Sequence, residues 1–329
     1  MTRILNVEPQ GYSAAARAIL AEAGEVVEQE LTQAELLQRL DGFDVLVVRL
    51  GHTVDREVID AAPGLRAIVT ATTGLDHVDV AYAEARGVAV LSLAGETEFL
   101  RGITATAEHT WALLLALVRR IPAAARSVAA GGWDRDAFRG HQLAGERLGV
   151  VGLGRVGRQV AGYGLAFGMR VSGHDPRVEH TPEGVTWAGS LHELLGDTDV
   201  LTLHVPLRAH TRGLIGRDQL AALPDGAVLV NTSRGEIVDE EALVRALADG
   251  TLAGAAVDVI QGERDEASRA SSLLLSYARE HDNLIVTPHL GGATVESMEA
   301  TEVFMARKLV AFLGSTRGPA GEPVRQGGT

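Results

Sequence analysis

The sequence predicts an α/β protein with two lobes, each built on a parallel β-sheet. Short apolar segments of strand length recur along the chain and alternate with helical patterns, which is typical of parallel sheets whose strands are joined by helices. Near the middle of the chain, one strand pattern leads into the run Gly152-Leu153-Gly154-Arg155-Val156-Gly157, and a helical pattern follows. A length of 329 residues accommodates one large or two ordinary domains.

The first lobe is predicted over residues 1–104. Strands are expected at 4–7, 44–48, 67–69 and 88–91, with helices such as 14–23 and 56–62 between them. A polar loop is expected at 94–104 and a long apolar helix at 106–128, in which Pro122 kinks the helix or ends its first part.

The second lobe is predicted over residues 105–292 as a doubly wound domain. Its strands are expected at 148–151, 170–173, 200–205, 227–231, 255–259 and 284–287, with helices at 159–167, 191–195, 217–222 and 240–249. A last helix at 295–313 returns to the first lobe, so that residues 293–329 complete a split, flavodoxin-like domain. The segment 314–329 is rich in glycine, proline and charge, and we expect it to be disordered.

The glycine run favours dinucleotide binding because each glycine has a separate task. Gly152 permits the tight turn, Gly154 lets the backbone approach a pyrophosphate, and Gly157 lets the helix lie against its strand. The first N–H groups of that helix attract an anion. Asp175 ends the next strand, where an acid binds ribose hydroxyls and repels a 2′-phosphate. Arg177 could hold such a phosphate, but the position of Asp175 favours NAD over NADP.

Three further turns, each following an apolar strand, contain Arg234, Glu263 and His289. Parallel strands bring such turns to the edge that carries the glycine run. Hydride addition to a keto group creates an alkoxide that needs a proton, which a histidine supplies at neutral pH. A carboxylate orients the ring, and a guanidinium pairs with the substrate carboxylate. The three residues together indicate hydride transfer to a 2-keto acid, although each alone is compatible with a purely structural role.

Two turns of the first lobe offer groups for a substrate carboxylate. Backbone N–H groups near Thr73 and Gly74 could hold it, and Arg49 could pair with it. The alternative is a plain turn and a solvated arginine.

Composition narrows the classes of function. The net charge of −13 argues against nucleic-acid binding as the main task. The chain has no cysteine, which excludes disulfides and thiolate chemistry. The longest apolar run, at 111–118, is far shorter than the roughly 20 residues of a membrane span, and the N-terminal residues lack a signal-peptide cleavage site. We expect a cytoplasmic protein without membrane contact, and we predict no metal site.

The motifs and their order resemble the D-2-hydroxyacid dehydrogenase family, and the resemblance spans about residues 2–313. It is carried by the glycine run, His204-Val205-Pro206-Leu207, Asn231-Thr232-Ser233-Arg234-Gly235, Asp258 with Glu263, and Thr287-Pro288-His289-Leu290-Gly291-Gly292. The similarity is to phosphoglycerate dehydrogenase-like members without a regulatory domain. It implies two Rossmann-like domains, a substrate domain and an NAD-binding domain.

The resemblance also implies roles for individual residues. His289 is the acid/base, Glu263 its partner and Arg234 the substrate clamp, while Arg49, Thr73 and Gly74 match substrate-carboxylate positions. Asp258 contacts the nicotinamide carboxamide. The other implied cofactor-binding residues are Gly152, Gly154, Arg155, Val156, Gly157, Asp175, Val205, Pro206, Thr211, Thr232, Ser233, Gly291 and Gly292. The family is dimeric, and residues 107–124 with the segment around Trp133 would form a homodimer interface.

Two other functions remain open at this stage. A formate dehydrogenase-like enzyme is disfavoured because such relatives carry glutamine where this chain has Glu263. An NAD(H)-sensing protein of the C-terminal-binding corepressor type retains the same three residues, and turnover of 2-keto acids separates it from an enzyme.

Overall fold

The computed structural model describes residues 1–178 and 180–316. The chain divides into two compact units, one formed by Met1–Glu96 together with the chain from Val295, the other by Thr97–Thr294. The chain thus crosses between units at 96/97 and 294/295, whereas the sequence placed the crossings at 104/105 and 292/293. Each unit is an α/β structure on its own parallel sheet, which confirms the predicted fold class.

The first unit is a five-stranded parallel sheet covered by helices. Its strands are β1 (Arg3–Asn6), β2 (Glu25–Glu28), β3 (Val45–Val48), β4 (Ala67–Thr70) and β5 (Ala89–Leu91), and its first helices are α1 (Ala14–Ala23), α2 (Gln33–Arg39), α3 (Arg56–Asp60) and α4 (Val80–Ala85). The strand order is β2-β1-β3-β4-β5, the flavodoxin-like arrangement. Strands β3 and β4 are buried along their whole length, as expected for a sheet covered on both faces.

Strand β2 was missed by the sequence analysis. It lies at the edge of the sheet, begins and ends with a glutamate, and is only half-buried at its centre. A strand of this kind lacks the apolar run that identified its neighbours.

The second unit is a seven-stranded parallel sheet. Its strands are β6 (Arg147–Val151), β7 (Arg170–His174), β8 (Val185–Trp187), β9 (Val200–Leu203), β10 (Ala227–Asn231), β11 (Leu252–Val257) and β12 (Leu284–Val286). Its helices are α5 (Thr97–Leu100), α6 (Ala105–Val118), α7 (Ile121–Ala129), α8 (Arg155–Ala166), α9 (Leu191–Gly196), α10 (Arg217–Ala221), α11 (Glu240–Ala248), α12 (Glu266–Ala270) and α13 (Leu273–Glu280). The order β12-β11-β10-β9-β6-β7-β8 is the doubly wound order with one added strand, and it reverses between β6 and β9.

Several predicted elements of this unit are corrected by the structure. The expected polar loop at 94–104 contains α5, and the expected long helix is two helices, broken at Arg120, whose φ of 54° is left-handed. The second of them begins with Pro122 in its first turn, so the proline ends the first part as expected. Helix α8 begins at Arg155, four residues before its predicted start, and β8, α12 and α13 were not predicted.

The second sheet separates two apolar layers. Helices α6 and α8 cover one face with Trp111, Leu114 and Val160, and helices α9 to α11 and α13 cover the other with Leu220, Leu243 and residues like them. Because both faces of the sheet are packed, the ends of its strands are held in place. Those ends carry the residues of the candidate site.

Helix α14 (Val295–Thr316) returns to the first unit and packs on α1, as predicted. It runs three residues beyond its predicted end, through the beginning of the segment expected to be disordered. Residues 317–329 of that segment lie outside the described residues. Among the described helices, none has both the length and the apolar character that crossing a bilayer requires.

Candidate active site

The glycine turn after β6 has one open position between two crowded ones. A Cβ on Gly152 would lie 2.5 Å from the carbonyl oxygen of His204, and one on Gly157 would lie 1.9 Å from that of Gly152. A Cβ on Gly154 would meet no atom within 4 Å. Gly154 is the N-cap of α8, and no side chain caps this helix end. The turn therefore leaves backbone N–H groups beside open space, which fits a pyrophosphate.

Arg155 follows the open glycine, but its side chain turns back into the unit. Its Nη1 donates a hydrogen bond to the Ile103 carbonyl at 2.7 Å, and burial lowers its pKa. Arg155 and Val156 therefore offer a cofactor their backbone N–H groups at the start of α8.

Asp175 supports the glycine turn directly. Its Oδ2 accepts a hydrogen bond from the backbone N–H of Leu153 at 2.9 Å, and its Oδ1 accepts one from that of Arg177 at 3.0 Å. A carboxylate accepts about four hydrogen bonds, so capacity remains for ribose hydroxyls. The Arg177 guanidinium contacts His210 at 3.3 Å instead.

Strand order reverses between β6, which precedes the glycine turn, and its neighbour β9. The segment after β9 therefore lies across this reversal from the glycine turn. The hydroxyl of buried Thr211 donates to the Pro206 carbonyl at 2.7 Å and accepts from the N–H of Arg208 at 2.8 Å, which closes a compact loop. Val205 and Pro206 begin this loop. Burial lowers the pKa of neighbouring His204 to about 3, so that ring is neutral at physiological pH.

The ends of β10, β11 and β12 are adjacent. The Asp258 N–H donates to the Asn231 carbonyl at 2.9 Å, the Thr287 N–H to the Val257 carbonyl at 3.0 Å, and the His289 N–H to the Asp258 carbonyl at 2.8 Å. The turns that carry Arg234, Glu263 and His289 therefore lie side by side at one edge of the sheet.

His289 and Glu263 form a short pair at this edge. The Nδ1 atom of His289 lies 2.6 Å from Oε1 of Glu263, and each side chain is about one-fifth exposed. His289 has a φ of 55°, a conformation uncommon for residues other than glycine. Strained backbone of this kind is often found at functional sites. The pairing leaves Nε2 of the ring available to a reactant.

Asp258 holds the backbone on which His289 sits. Its Oδ1 accepts from the Leu290 N–H and its Oδ2 from the Gly291 N–H, both at 2.7 Å, and the Thr287 hydroxyl donates to Oδ1 at 2.5 Å. Nε2 of His109 lies 3.1 Å from the same Oδ1. The carboxylate is 1% exposed, yet Oδ2 retains a lone pair for a carboxamide.

The turn after β10 is ordered by Asn231. Its side-chain oxygen accepts from both the N–H and the hydroxyl of Ser233, and its side-chain NH₂ donates to the Arg234 carbonyl. Thr232 is buried, and its hydroxyl lies 2.8 Å from that of Thr110. A Cβ on Gly235 would lie 2.1 Å from the carbonyl carbon of Ile260, so the turn carrying Arg234 lies directly against the Asp258–Glu263 segment.

In the first unit, the turn after β4 carries a chain of hydroxyl groups. The Thr72 hydroxyl lies 3.0 Å from that of Thr70 and donates to the Gly74 carbonyl at 2.9 Å. Thr73 is exposed beside them. The bonds fix the backbone at Thr73 and Gly74, the two positions predicted to hold a substrate carboxylate.

The turn after β3 is tied to two acidic side chains. Glu8 accepts from the backbone N–H groups of Arg49 and Gly51 at 2.8 and 3.2 Å, and its Oε1 lies 3.2 Å from Nδ1 of His52. The Arg49 guanidinium lies 3.0 Å from Oε1 of Glu302, which is buried in α14.

Burial would raise the pKa of Glu8, but hydrogen bonds from His52 and two N–H groups lower it. Burial likewise opposes protonation of His52, whose bonds to Glu8 and the Leu31 carbonyl raise its pKa. The Leu31 carbonyl is an acceptor at 2.8 Å from Nε2, so this nitrogen carries a proton.

Sequence reasoning missed His109, Glu8 and Glu302. His109 reaches Asp258 across 149 residues of chain, a distance that no local pattern encodes. Glu302 did leave a signal, because it stands on the stripe of α14 that also contains Met305, Leu309 and Leu313. A charged residue at a core position predicts a buried partner.

The open glycine turn and the reversal of strand order are typical of a Rossmann-type nucleotide-binding protein, and this one also carries a partly buried His–Glu pair at a strand end. Residues 111–291 match the family model for the D-isomer specific 2-hydroxyacid dehydrogenase, NAD binding domain. Within the described residues, no cluster of three or more His, Cys, Asp or Glu is arranged to hold a metal ion.

Known proteins agree with this match. The chain is 39% identical to a D-3-phosphoglycerate dehydrogenase of Methanocaldococcus jannaschii over 95% of this chain and 58% of that protein. It is 36% identical to a hydroxypyruvate reductase of Thermotoga maritima over 88% and 91%. The solved structure of a D-lactate dehydrogenase from Aquifex aeolicus, complexed with NAD and lactic acid, superposes with a TM-score of 0.83 at 28% identity, covering 95% and 96%.

The chain belongs to the D-2-hydroxyacid dehydrogenase family, as its motifs predicted. Its second unit contains the NAD-binding domain of that family. The whole chain spans little more than half the length of the phosphoglycerate dehydrogenase that it matches.

Proposed function

We propose that this protein catalyses the NAD-dependent interconversion of a 2-keto acid and the D-2-hydroxy acid. The observation that carries the proposal is the 2.6 Å contact between His289 and Glu263, on a strand end of the sheet that also carries the open glycine turn. A histidine placed in this way can protonate a developing alkoxide, or accept the proton in the reverse direction.

The three catalytic residues have separate tasks in this proposal. Glu263 holds Nδ1 of His289 and orients the ring, so that Nε2 is the nitrogen that exchanges a proton with the substrate oxygen. Arg234 pairs with the substrate carboxylate and polarises the keto oxygen, as a planar guanidinium does well.

The residues of the second unit fit NAD. Gly152, Gly154 and Gly157 with the N–H groups of Arg155 and Val156 would hold the pyrophosphate, and Asp175 the ribose hydroxyls. Bound NAD supplies the hydride acceptor or donor. The other residues proposed to line the cofactor are Val205, Pro206, Thr211, Thr232, Ser233, Asp258, Gly291 and Gly292.

The substrate is proposed to be a small 2-keto acid. Relatives act, by their names, on hydroxypyruvate, phosphoglycerate or lactate, all of which share a carboxylate next to the reacting carbon. In the first unit, the backbone at Thr73 and Gly74 is proposed to bind that carboxylate, with Arg49 on the neighbouring strand end.

The test is NADH oxidation by the purified protein with hydroxypyruvate, phosphohydroxypyruvate, glyoxylate and pyruvate. We expect turnover with at least one of them, and the His289→Ala variant should reduce the same acid about 10²-fold more slowly or worse. Tight NADH binding without turnover of any keto acid would instead favour an NAD(H)-sensing protein.

We also propose that the protein is a homodimer. An apolar groove on α6 and α8 is lined by Trp111, Leu115, Tyr163 and Phe167, and Phe167 is 43% and Trp133 is 90% exposed. Exposed apolar surface of this kind marks interaction sites. Light scattering after size exclusion should give a dimer mass, and Trp133→Ser should shift it toward the monomer. A wild-type monomer at micromolar concentration would contradict the proposal.

Dependence on NAD favours the cytoplasm as the location.

A further inference from the structure

Helix α6 carries polar side chains on the side that faces the strand ends of the second sheet. The hydroxyl of Thr110 lies 2.8 Å from that of Thr232, which follows β10. Nε2 of His109 lies 3.1 Å from Oδ1 of Asp258, which follows β11, and 3.1 Å from Oγ1 of Thr287, which follows β12. All five residues belong to the second unit. Two consecutive residues of one helix therefore contact the ends of three neighbouring strands.

The contacts of His109 show which ring nitrogen carries a hydrogen. The Thr287 hydroxyl donates its one hydrogen to Oδ1 of Asp258 at 2.5 Å, so the Thr287 oxygen can only accept from His109. An ionised carboxylate is an acceptor as well. Both oxygens near Nε2 are therefore acceptors, and Nε2 of His109 is the donor between them.

The two oxygens of the Asp258 carboxylate are used unequally. Oδ1 accepts from the Leu290 N–H at 2.7 Å, from the Thr287 hydroxyl at 2.5 Å and from Nε2 of His109 at 3.1 Å. Oδ2 accepts from the Gly291 N–H at 2.7 Å. A carboxylate oxygen has about two lone pairs, so Oδ1 is fully used and Oδ2 can accept once more. The donors on Oδ1 thus determine which oxygen remains available to a ligand.

His109 differs from the other donors because it comes from another element. Thr287, Leu290 and Gly291 lie on one short segment after β12, so they hold the carboxylate only relative to that segment. His109 is on α6, whose apolar side chains pack in the core against the sheet. It therefore anchors Asp258, which is 1% exposed, to a part of the unit that does not depend on the turn. A buried carboxylate of this kind is costly unless it is hydrogen-bonded.

We propose that His109 is a positioning residue for the nicotinamide end of the cofactor. Its Nε2–H holds the Asp258 carboxylate so that Oδ2 stays available to the nicotinamide carboxamide. The His289 N–H donates to the Asp258 carbonyl at 2.8 Å, so the same anchor supports the backbone of His289. The inference rests on the proposed function, which assigns Asp258 to the carboxamide, and it adds the residue that orients Asp258.

The experiment compares the binding of NADH with that of ADP-ribose, which lacks the nicotinamide ring, by calorimetry. We expect wild-type protein to bind NADH about tenfold more tightly or better, because a hydrogen bond to a charged group contributes that much. His109→Leu should weaken NADH binding and leave ADP-ribose binding unchanged, so that the two Kd values lie within about threefold of each other. Both ligands are measured on one preparation, so a smaller fraction of folded protein leaves the ratio of Kd values unchanged.

Two amide variants test whether the donor at Nε2 is what matters. The amide nitrogen of glutamine can reach the position of the imidazole Nε2, whereas that of asparagine reaches only as far as Nδ1. His109→Gln should therefore keep the wild-type ratio, and His109→Asn should behave like His109→Leu. His192→Gln, at an exposed position on α9, is the control and should bind both ligands as the wild type does. In turnover with a keto acid, His109→Leu should raise the KM for NADH more than the KM for the acid.

Three results would overturn the inference. The first is a wild type that binds ADP-ribose as tightly as NADH, which needs no variant. The second is an unchanged ratio in folded His109→Leu or His109→Asn, or an equal loss for both ligands, as a merely structural role would give. The third is failure of both variants to fold, which would make His109 a residue of the fold itself.

The proposed function fails in a different way. Absence of turnover with every keto acid would overturn the proposed enzyme alone, because the binding comparison is made without substrate. Absence of NADH binding to the wild type would overturn both.

Discussion

The two parallel sheets of this chain differ in what stands at the point where strand order reverses. In the second unit, between β6 and β9, the turn presents a glycine with open space beside it and a helix end without a side-chain cap. In the first unit, between β1 and β3, Glu8 and Glu302 occupy the N–H groups and the guanidinium. The same topology thus leaves an open turn in one unit and a filled turn in the other, and the local side chains make the difference.

The largest expected effect concerns the His289–Glu263 pair, which lies on the same sheet as the open turn. Replacing His289 with alanine should lower kcat by about 10²-fold or more, the usual contribution of a positioned acid/base. Binding of NADH, followed by its fluorescence, should stay close to wild type because the glycine turn is untouched. Near wild-type turnover in this variant would remove His289 from the mechanism.

The next prediction concerns the nucleotide that the open turn accepts. Asp175 is proposed to hold the ribose hydroxyls and would repel a 2′-phosphate, so kcat/KM for NADH should exceed that for NADPH by about tenfold or more. Asp175→Ser should narrow this ratio, while Asp218→Ser, on α10, serves as a matched control. Equal use of both nucleotides by the wild type would contradict the proposed role of Asp175.

Alanine substitutions at two glycines of that turn separate its role in NADH binding from its role in the stability of the fold. Gly154→Ala places a methyl group in the open space, and it should weaken NADH binding by about tenfold with little change in Tm. Gly157→Ala forces a contact with the Gly152 carbonyl and should lower the free energy of unfolding by roughly 1–3 kcal/mol. If both variants lost only stability, the open position would not be a nucleotide site.

The smallest expected effect concerns the filled turn and depends on pH. The raised pKa of His52 means that its stabilisation is complete below its unfolded value near 6.5 and is lost as the pH rises through the folded value. The lowered pKa of Glu8 means that its stabilisation is present above 4.5 and is lost as the pH falls through the folded value. Protection of residues 45–54 from hydrogen exchange, corrected for intrinsic rates, should therefore be greatest between pH 4.5 and pH 6.5, where both groups stabilise the turn.

His52→Asn should flatten that profile on its alkaline side. The exposed His192→Asn variant should retain it. A profile that is identical in all three proteins would show that the pair does not stabilise the turn.

Local patterns predicted the parts of the molecule whose cause is local. The apolar runs of β3, β4 and β10 and the spacing of Gly152, Gly154 and Gly157 follow from one segment of chain at a time. Strand β2 escaped prediction because its glutamates mask the apolar centre, and helix α12 has only five residues, too few to show a periodic pattern.

The sequence by itself determined the class of fold, the dinucleotide turn and the identity of the three proposed catalytic residues, because these depend on residue type and spacing along the chain. Only the tertiary structure decided that His109 supports Asp258 and that Glu302 holds Arg49. Those pairs join residues more than a hundred positions apart, and burial makes each partner necessary to the other. A charged residue among the buried positions of α14 indicates that it has a partner, but only the tertiary structure identifies that partner as Arg49.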